Sequence, residues 1–270
     1  MKSTLTKDQI STYRNDGVVV HRNLLNEDEV GVLKEAVLSS VESLGKNKVA
    51  GSDDDRVEKE DYYSKVFTQR LNLWRINETI KGFMLGPGIG KMITDLEGVD
   101  GFRVWHDQTL IKEPYGNPTA WHLDNPYWSF DSRHAISIWI ALEPATFQNG
   151  CMWFVPGSQR MATFESVGIS ENQSALFEQY PKMKKLEPMG VEMQPGDCSF
   201  HNGLTAHGAG ANMTRDRRIA MTCAYMPIGS TFNGKKNILP VDYFSSLEKG
   251  DILENDQWNP IVFQREGAGA

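Results

Sequence analysis

From about residue 101 the chain is cut into short apolar runs by closely spaced turn formers, and this punctuation restricts the possible folds more than any other feature. Phe102–Ile111, Ala135–Leu142, Met152–Val155, Gly190–Met193, Cys198–His201 and Arg217–Met226 read as strands, rich in branched and aromatic residues. Between them stand Asn149-Gly150, Pro156-Gly157-Ser158, Pro195-Gly196-Asp197 and Asn202-Gly203. Such groups favour tight turns, because glycine tolerates positive φ and proline presets its own. Many short strands bury their apolar faces by closing on one another, so the expected β-core is a sandwich or jelly roll.

The first hundred residues have a helical texture. Thr6 followed by Gln9 fits a capping box, and Gly17 ends that short helix before the β-branched run Val18-Val19-Val20. Asn26 and Glu29 repeat the cap signal, and Val30, Leu33, Val37, Val41 and Leu44 then step by three and four along one helix face. Further helices are expected around 74–85 and 89–97, separated by Gly86-Pro87-Gly88. The mixed-charge stretch 45–61 reads as a solvated loop, and the long insertion 161–188 as a lid or binding loop. The expectation is one domain over 1–270: a helical part to about 100, a β-core to about 230 and an extension over 231–270.

Composition excludes some functions. A net charge of -7 argues against a nucleic-acid or anionic-membrane surface, which leaves a small molecule as the expected partner. Cys151, Cys198 and Cys223 are odd in number and form no C-x-x-C pair, so they read as buried reduced thiols. No apolar run suits a signal peptide or a membrane span, and a soluble, cytoplasmic protein is expected. Oligomeric state is not legible.

The chemistry concentrates at Trp121-His122-Leu123-Asp124. On a strand, residues two apart share a face, so His122 and Asp124 would offer an imidazole and a carboxylate to one point. A second imidazole must come from a distant strand, either His201 or His207. His207 is preferred, because Gly208 and Gly210 let backbone pass close to a ligand. His21 and His134 read as structural. Two histidines and a carboxylate on one side of a metal leave positions open, as non-haem iron oxygenases require. Arg218, eleven residues beyond His207, brings a planar fork suited to a carboxylate.

These motifs, with Trp139-Ile140-Ala141-Leu142-Glu143, Asn149-Gly150-Cys151-Met152, Val155-Pro156-Gly157-Ser158 and the opening Asp16-Gly17-Val18-Val19-Val20, resemble the phytanoyl-CoA dioxygenase family to about residue 230. The resemblance implies a mainly β fold with flanking α-helices, a double-stranded β-helix of the jelly-roll, cupin-like kind. It implies Fe(II), the co-substrate 2-oxoglutarate and O2, with hydroxylation of an unactivated C–H bond and release of succinate and CO2. His122, Asp124 and His207 would bind the iron. Arg218 would take the distal carboxylate of 2-oxoglutarate, with Arg217 or Arg215 instead if the register differs. His106, Gln108, Leu110 and Lys112 share a strand face that would look toward the co-substrate, Gln108 foremost. Trp139 would pack against 2-oxoglutarate or in the core, and Tyr127 and Trp128 would line the substrate pocket. Asp124 stands where related halogenases carry a small residue. Gln159 departs from the histidine usual after Pro-Gly-Ser. A zinc hydrolase on the same triad and a non-catalytic ligand sensor are the competing readings.

Overall fold

A computed structural model describes residues 1–51, 65–168 and 171–267. The acidic part of the loop expected at 45–61, Asp53 to Glu60, lies outside the described residues.

The N-terminal elements follow the cap signals. Helix α1 (Lys7–Asp16) opens on a Thr6–Gln9 capping box and closes on Gly17 at φ 73°, a conformation that suits glycine. Strand β1 (Val18–His21) follows, then helix α2 (Glu27–Leu44) from a second capping box at Asn26 and Glu29. After the undescribed stretch come β2 (Thr68–Leu71), α3 (Glu78–Met84) and α4 (Pro87–Glu97). Asp107 ties this region to the core. Its buried carboxylate accepts the backbone N–H groups of Leu73 and Trp74 at 2.7 and 2.8 Å, and burial pushes its pKa up to about 7.

The remaining elements are β3 (Gly101–Lys112), β4 (Thr119–His122), β5 (Ile136–Ala141), β6 (Met152–Phe154), α5 (Ala175–Gln179), β7 (Met189–Val191), β8 (Cys198–Asn202), β9 (His207–Ala209), β10 (Arg218–Pro227), α6 (Val241–Ser245) and β11 (Ile261–Gln264). Among the described residues they form two sheets of antiparallel strands, the two-sheet jelly roll expected. The larger runs β1-β8-β5-β10-β3-β11, with β2 also on β3, and the smaller runs β4-β9-β6-β7.

Alternation assigns the faces of the large sheet. Ile136, Ile138, Ile140, Phe200, Ile219, Met221, Cys223 and Tyr225 join Leu33, Val37, Ile80, Met84, Ile89 and Ile93 of the helices in one buried core. The intervening residues, Ser137, Trp139, His201, Arg218, Thr222 and Ala224, line a cavity between the sheets. On β3 the same parity places His106, Gln108 and Leu110 in the cavity wall. The β3–β10 register shifts between Ala224 and Tyr225, which pair with His106 and Val104 and leave Trp105 as the extra residue. This bulge reverses the parity, so Phe102 and Val104 return to the helix-facing core.

Candidate active site

Strands β4 and β9 set two imidazoles side by side. His122 pairs with His207 across the ladder, their ring centroids 4.2 Å apart. Each ring is oriented by its own chain: Nδ1 of His122 lies 2.8 Å from Ala120 O, and Nδ1 of His207 lies 2.9 Å from Thr205 O. An N–H donated there leaves each Nε2 lone pair facing the cavity. Burial pushes both imidazoles down to about 4, so they stand neutral and ready to ligate at neutral pH.

Asp124 arrives by a different route from the one its spacing suggests. Strand β4 ends at His122, and Asp124 has helical φ and ψ (−80°, −53°) at the head of a 3-10 turn over Asn125–Tyr127. The turn, and not strand alternation, brings the carboxylate round. The backbone N–H groups of Asp124 and Asn125 both donate to Gly203 O, at 3.0 and 2.9 Å. Asp124 Oδ1 then lies 3.6 Å from His122 Nε2 and 3.5 Å from His207 Nε2. Burial alone would raise its pKa, but His207, His201 and His122 outweigh burial and hold the carboxyl well below the usual carboxylate range. One ligand atom from each of His122, Asp124 and His207 falls within 4.8 Å of the others, a set of donors that fits a divalent cation.

His201, the other candidate for the second imidazole, has a different place. Its Nε2 lies 3.4 Å from the opposite carboxylate oxygen, Asp124 Oδ2, and its ring packs on His207 and Phe154. Ser137 Oγ donates to the same Oδ2 at 3.0 Å. Sequence reasoning assigned Ser137 no role, and the signal was its inward parity on β5.

Arg218 is buried, at 2% exposure, and its Nε and Nη1 have no hydrogen-bond partner. Its guanidinium carbon sits 5.2 Å from the centre of the Trp139 ring. Across the ladder it pairs directly with Lys112, also fully buried, whose Nζ donates to Asn117 O at 2.7 Å. Two like charges directly opposite each other in a dry interior disfavour one another, and a carboxylate bound in the cavity would offset the buried charge of Arg218. Burial first, and Arg218 second, lower Lys112 to about 7. Arg217 and Arg215 are exposed, which places Arg218 alone of the three in the cavity wall.

The cavity, about 470 Å³, gathers most of the expected residues: His106, Gln108, His122, Asp124, Tyr127, Trp128, Trp139, His207 and Arg218. Gln108 accepts a hydrogen bond from Gln69 of β2, and the Tyr127 hydroxyl donates to Val167 O. Lys112, expected on the same face, is not among the lining residues: it is fully buried with its Nζ turned to Asn117 O. The insertion 161–188 is not a wall of this cavity among its described residues. Its helix α5 packs Leu176 against Leu123, Val155 and Leu204, behind Tyr127. Further walls are Lys48, Val49, Phe67, Gln69 and Leu71 and, from beyond β10, Asn237 and Ile238. Lys48 and Val49 belong to the stretch read as a solvated loop, but Val49 and Ala50 are buried, because Val49 bridges to Leu71 of β2; 65–71 and 231–270 were left without a role, because neither shows a clean period of two or 3.6.

The comparisons agree with this geometry. The family model described as phytanoyl-CoA dioxygenase matches residues 13–220. Dioxygenase lolE1 of Epichloe uncinata is 34% identical over 153 residues, which span 57% of this chain and 57% of that protein. The peroxisomal phytanoyl-CoA dioxygenase of Mus musculus is 24% identical, covering 83% of this chain and 69% of its own. Among solved structures, the non-haem α-ketoglutarate-dependent carbocyclase SnoK from nogalamycin biosynthesis superposes with a TM-score of 0.77. It is 26% identical and covers 96% of this chain and 97% of its own. No described helix is long and apolar enough to cross a membrane. The chain therefore belongs to the phytanoyl-CoA dioxygenase family and is a 2-oxoglutarate-dependent non-haem iron dioxygenase with the jelly-roll fold.

Proposed function

We propose that this enzyme hydroxylates an unactivated C–H bond of a small or medium organic molecule, with His122, Asp124 and His207 as iron ligands. The observation that carries the reading is the juxtaposition of this triad with the buried Arg218, whose Nε and Nη1 have no hydrogen-bond partner, in one cavity. Iron with 2-oxoglutarate and O2 supplies an oxidant strong enough for C–H bonds, and succinate and CO2 are released.

The protein's own residues do the positioning. Arg218 takes the distal carboxylate of 2-oxoglutarate, and the Trp139 face limits where its carbon chain lies. Ser137 and His201 hold the Asp124 carboxylate, and the Ala120 and Thr205 carbonyls hold the two imidazoles. Gln108 faces the cavity between these groups. Tyr127 and Trp128 wall the substrate side and keep water from the reacting carbon.

Anaerobic protein given Fe(II) and then 2-oxoglutarate should develop a weak visible charge-transfer band. Asp124→Ala and Arg218→Ala should weaken or lose it. A folded, iron-loaded wild type without a band would overturn the site assignment.

A further inference from the structure

The Arg218 guanidinium does not sit level with its own Cα. Its central carbon lies 5.2 Å from the centre of the Trp139 ring, and Trp139 pairs across the ladder with Thr222, four residues further along β10. Four residues of strand span about 14 Å, more than the Trp139 side chain can bridge by leaning. The Arg218 side chain therefore runs along β10 toward Thr222. Residues two apart share a strand face, so Ala220 stands between the two, and its partner on β5 is Ala141. Two methyl groups leave that path open.

Thr222 closes the far end of this space. It is 5% exposed and lines the cavity, and its hydroxyl makes no hydrogen bond among the described residues. Thr109 on the neighbouring strand differs, since its hydroxyl donates to Ala220 O at 3.0 Å. The cross-strand neighbours of Thr222 are Gln108 and Trp139, and the Gln108 side-chain oxygen is already taken by Gln69. Nε and Nη1 of Arg218 are likewise without partners. A guanidinium edge and a hydroxyl that can rotate to donate thus face one small space from opposite ends. A carboxylate, which only accepts, suits such a set of donors.

We infer that Thr222 is a co-substrate-binding residue, its hydroxyl donating to the distal carboxylate of 2-oxoglutarate beside the Arg218 fork. The inference rests on the proposed function, which gives that carboxylate to Arg218. Sequence reasoning assigned Thr222 no role, because a β-branched residue on a strand is ordinary. Its hydroxyl stands out only once Arg218 has been followed to the Trp139 ring.

The test exchanges a hydroxyl for a methyl group at nearly constant shape. Wild type, Thr222→Val and Thr222→Ser are loaded anaerobically with Fe(II) and titrated with 2-oxoglutarate, and half-saturation is read from the visible charge-transfer band. Thr222→Val should need about tenfold more 2-oxoglutarate, the loss of one charge-assisted hydrogen bond, and Thr222→Ser should stay within about twofold of wild type. The same titration with 2-oxopentanoate, which keeps the five-carbon chain and lacks the distal carboxylate, should be equally weak, or undetected, in wild type and Thr222→Val. An unchanged half-saturation in Thr222→Val, a Thr222→Ser as weak as Thr222→Val, or a loss for 2-oxopentanoate as large as that for 2-oxoglutarate would each overturn the inference. Absence of the band in iron-loaded wild type would instead remove the underlying function, so the two failures are distinguishable.

Discussion

Ser137 donates its hydroxyl hydrogen to Asp124 Oδ2 at 3.0 Å, while the other carboxylate oxygen faces the His122 and His207 imidazoles at 3.6 and 3.5 Å. The carboxylate is thus steered from behind by a residue that does not ligate. Ser137→Ala should weaken Fe(II) affinity about tenfold, the low end for an oriented ligand that loses its outer partner. Titration of the apoprotein with Fe(II) checks this. The half-saturating 2-oxoglutarate concentration, measured at full iron loading, should be unaffected, because Ser137 makes no contact with Arg218.

Arg218 and Arg217 are adjacent in sequence but differ in kind. Arg218→Ala should raise the KM for 2-oxoglutarate by on the order of a hundredfold, the loss of about 3 kcal/mol from a charge-assisted contact. Arg217→Ala, at an exposed position, should leave it unchanged. Steady-state succinate formation measures both. If Arg217→Ala carried the effect, the β3–β10 register described here would be wrong by one residue.

Buried neutral histidines should make the apoprotein sensitive to acid. His106, His122 and His207 are each pushed down to about 4 by burial, against 6.5 when unfolded. Between those values the unfolded chain binds three protons that the folded one does not, so their contribution is present above 6.5 and is lost as pH falls toward 4. Asp107, raised to about 7, acts in the opposite direction with one proton. The net of two protons corresponds to about 3 kcal/mol per pH unit at most. Urea unfolding at pH 7, 6 and 5 should show that slope, and His106→Leu should reduce it by about one proton.

Two glycines in the same strand region should respond oppositely to substitution. A Cβ on Gly208 would sit 2.9 Å from the Thr119 carbonyl oxygen, between the strands that carry His122 and His207. A Cβ on Gly210 would meet nothing closer than 3.6 Å. Gly208→Ala should push β4 from β9 and lose most iron binding, whereas Gly210→Ala should retain it. Iron content after reconstitution distinguishes them.

Much of this architecture was legible in the residues. Two capping boxes and an αL glycine placed the first helices, and strand alternation placed His106, Gln108 and Leu110 on the inward face of β3. The elements that escaped notice are those whose burial is set by distant neighbours. Strand β2, Thr68–Leu71, has no apolar alternation and is held by pairing with β3. Strand β9 is three residues long and contains a glycine, and β11 pairs through an irregular register. Asp124 was identified for a reason that proved incomplete: the H-x-D spacing suggested a shared strand face, but a 3-10 turn anchored on Gly203 delivers the side chain. His201 and Ser137 could be understood only once Asp124 was in place, since neither has a local signature.

The wall formed by Asn237 and Ile238 has an evolutionary consequence. Both residues lie beyond residue 220, where the family-model match stops, whereas the triad and Arg218 lie within it. A substitution at either position would reshape the cavity wall without touching a proposed iron or 2-oxoglutarate contact, which offers relatives a route to new substrates.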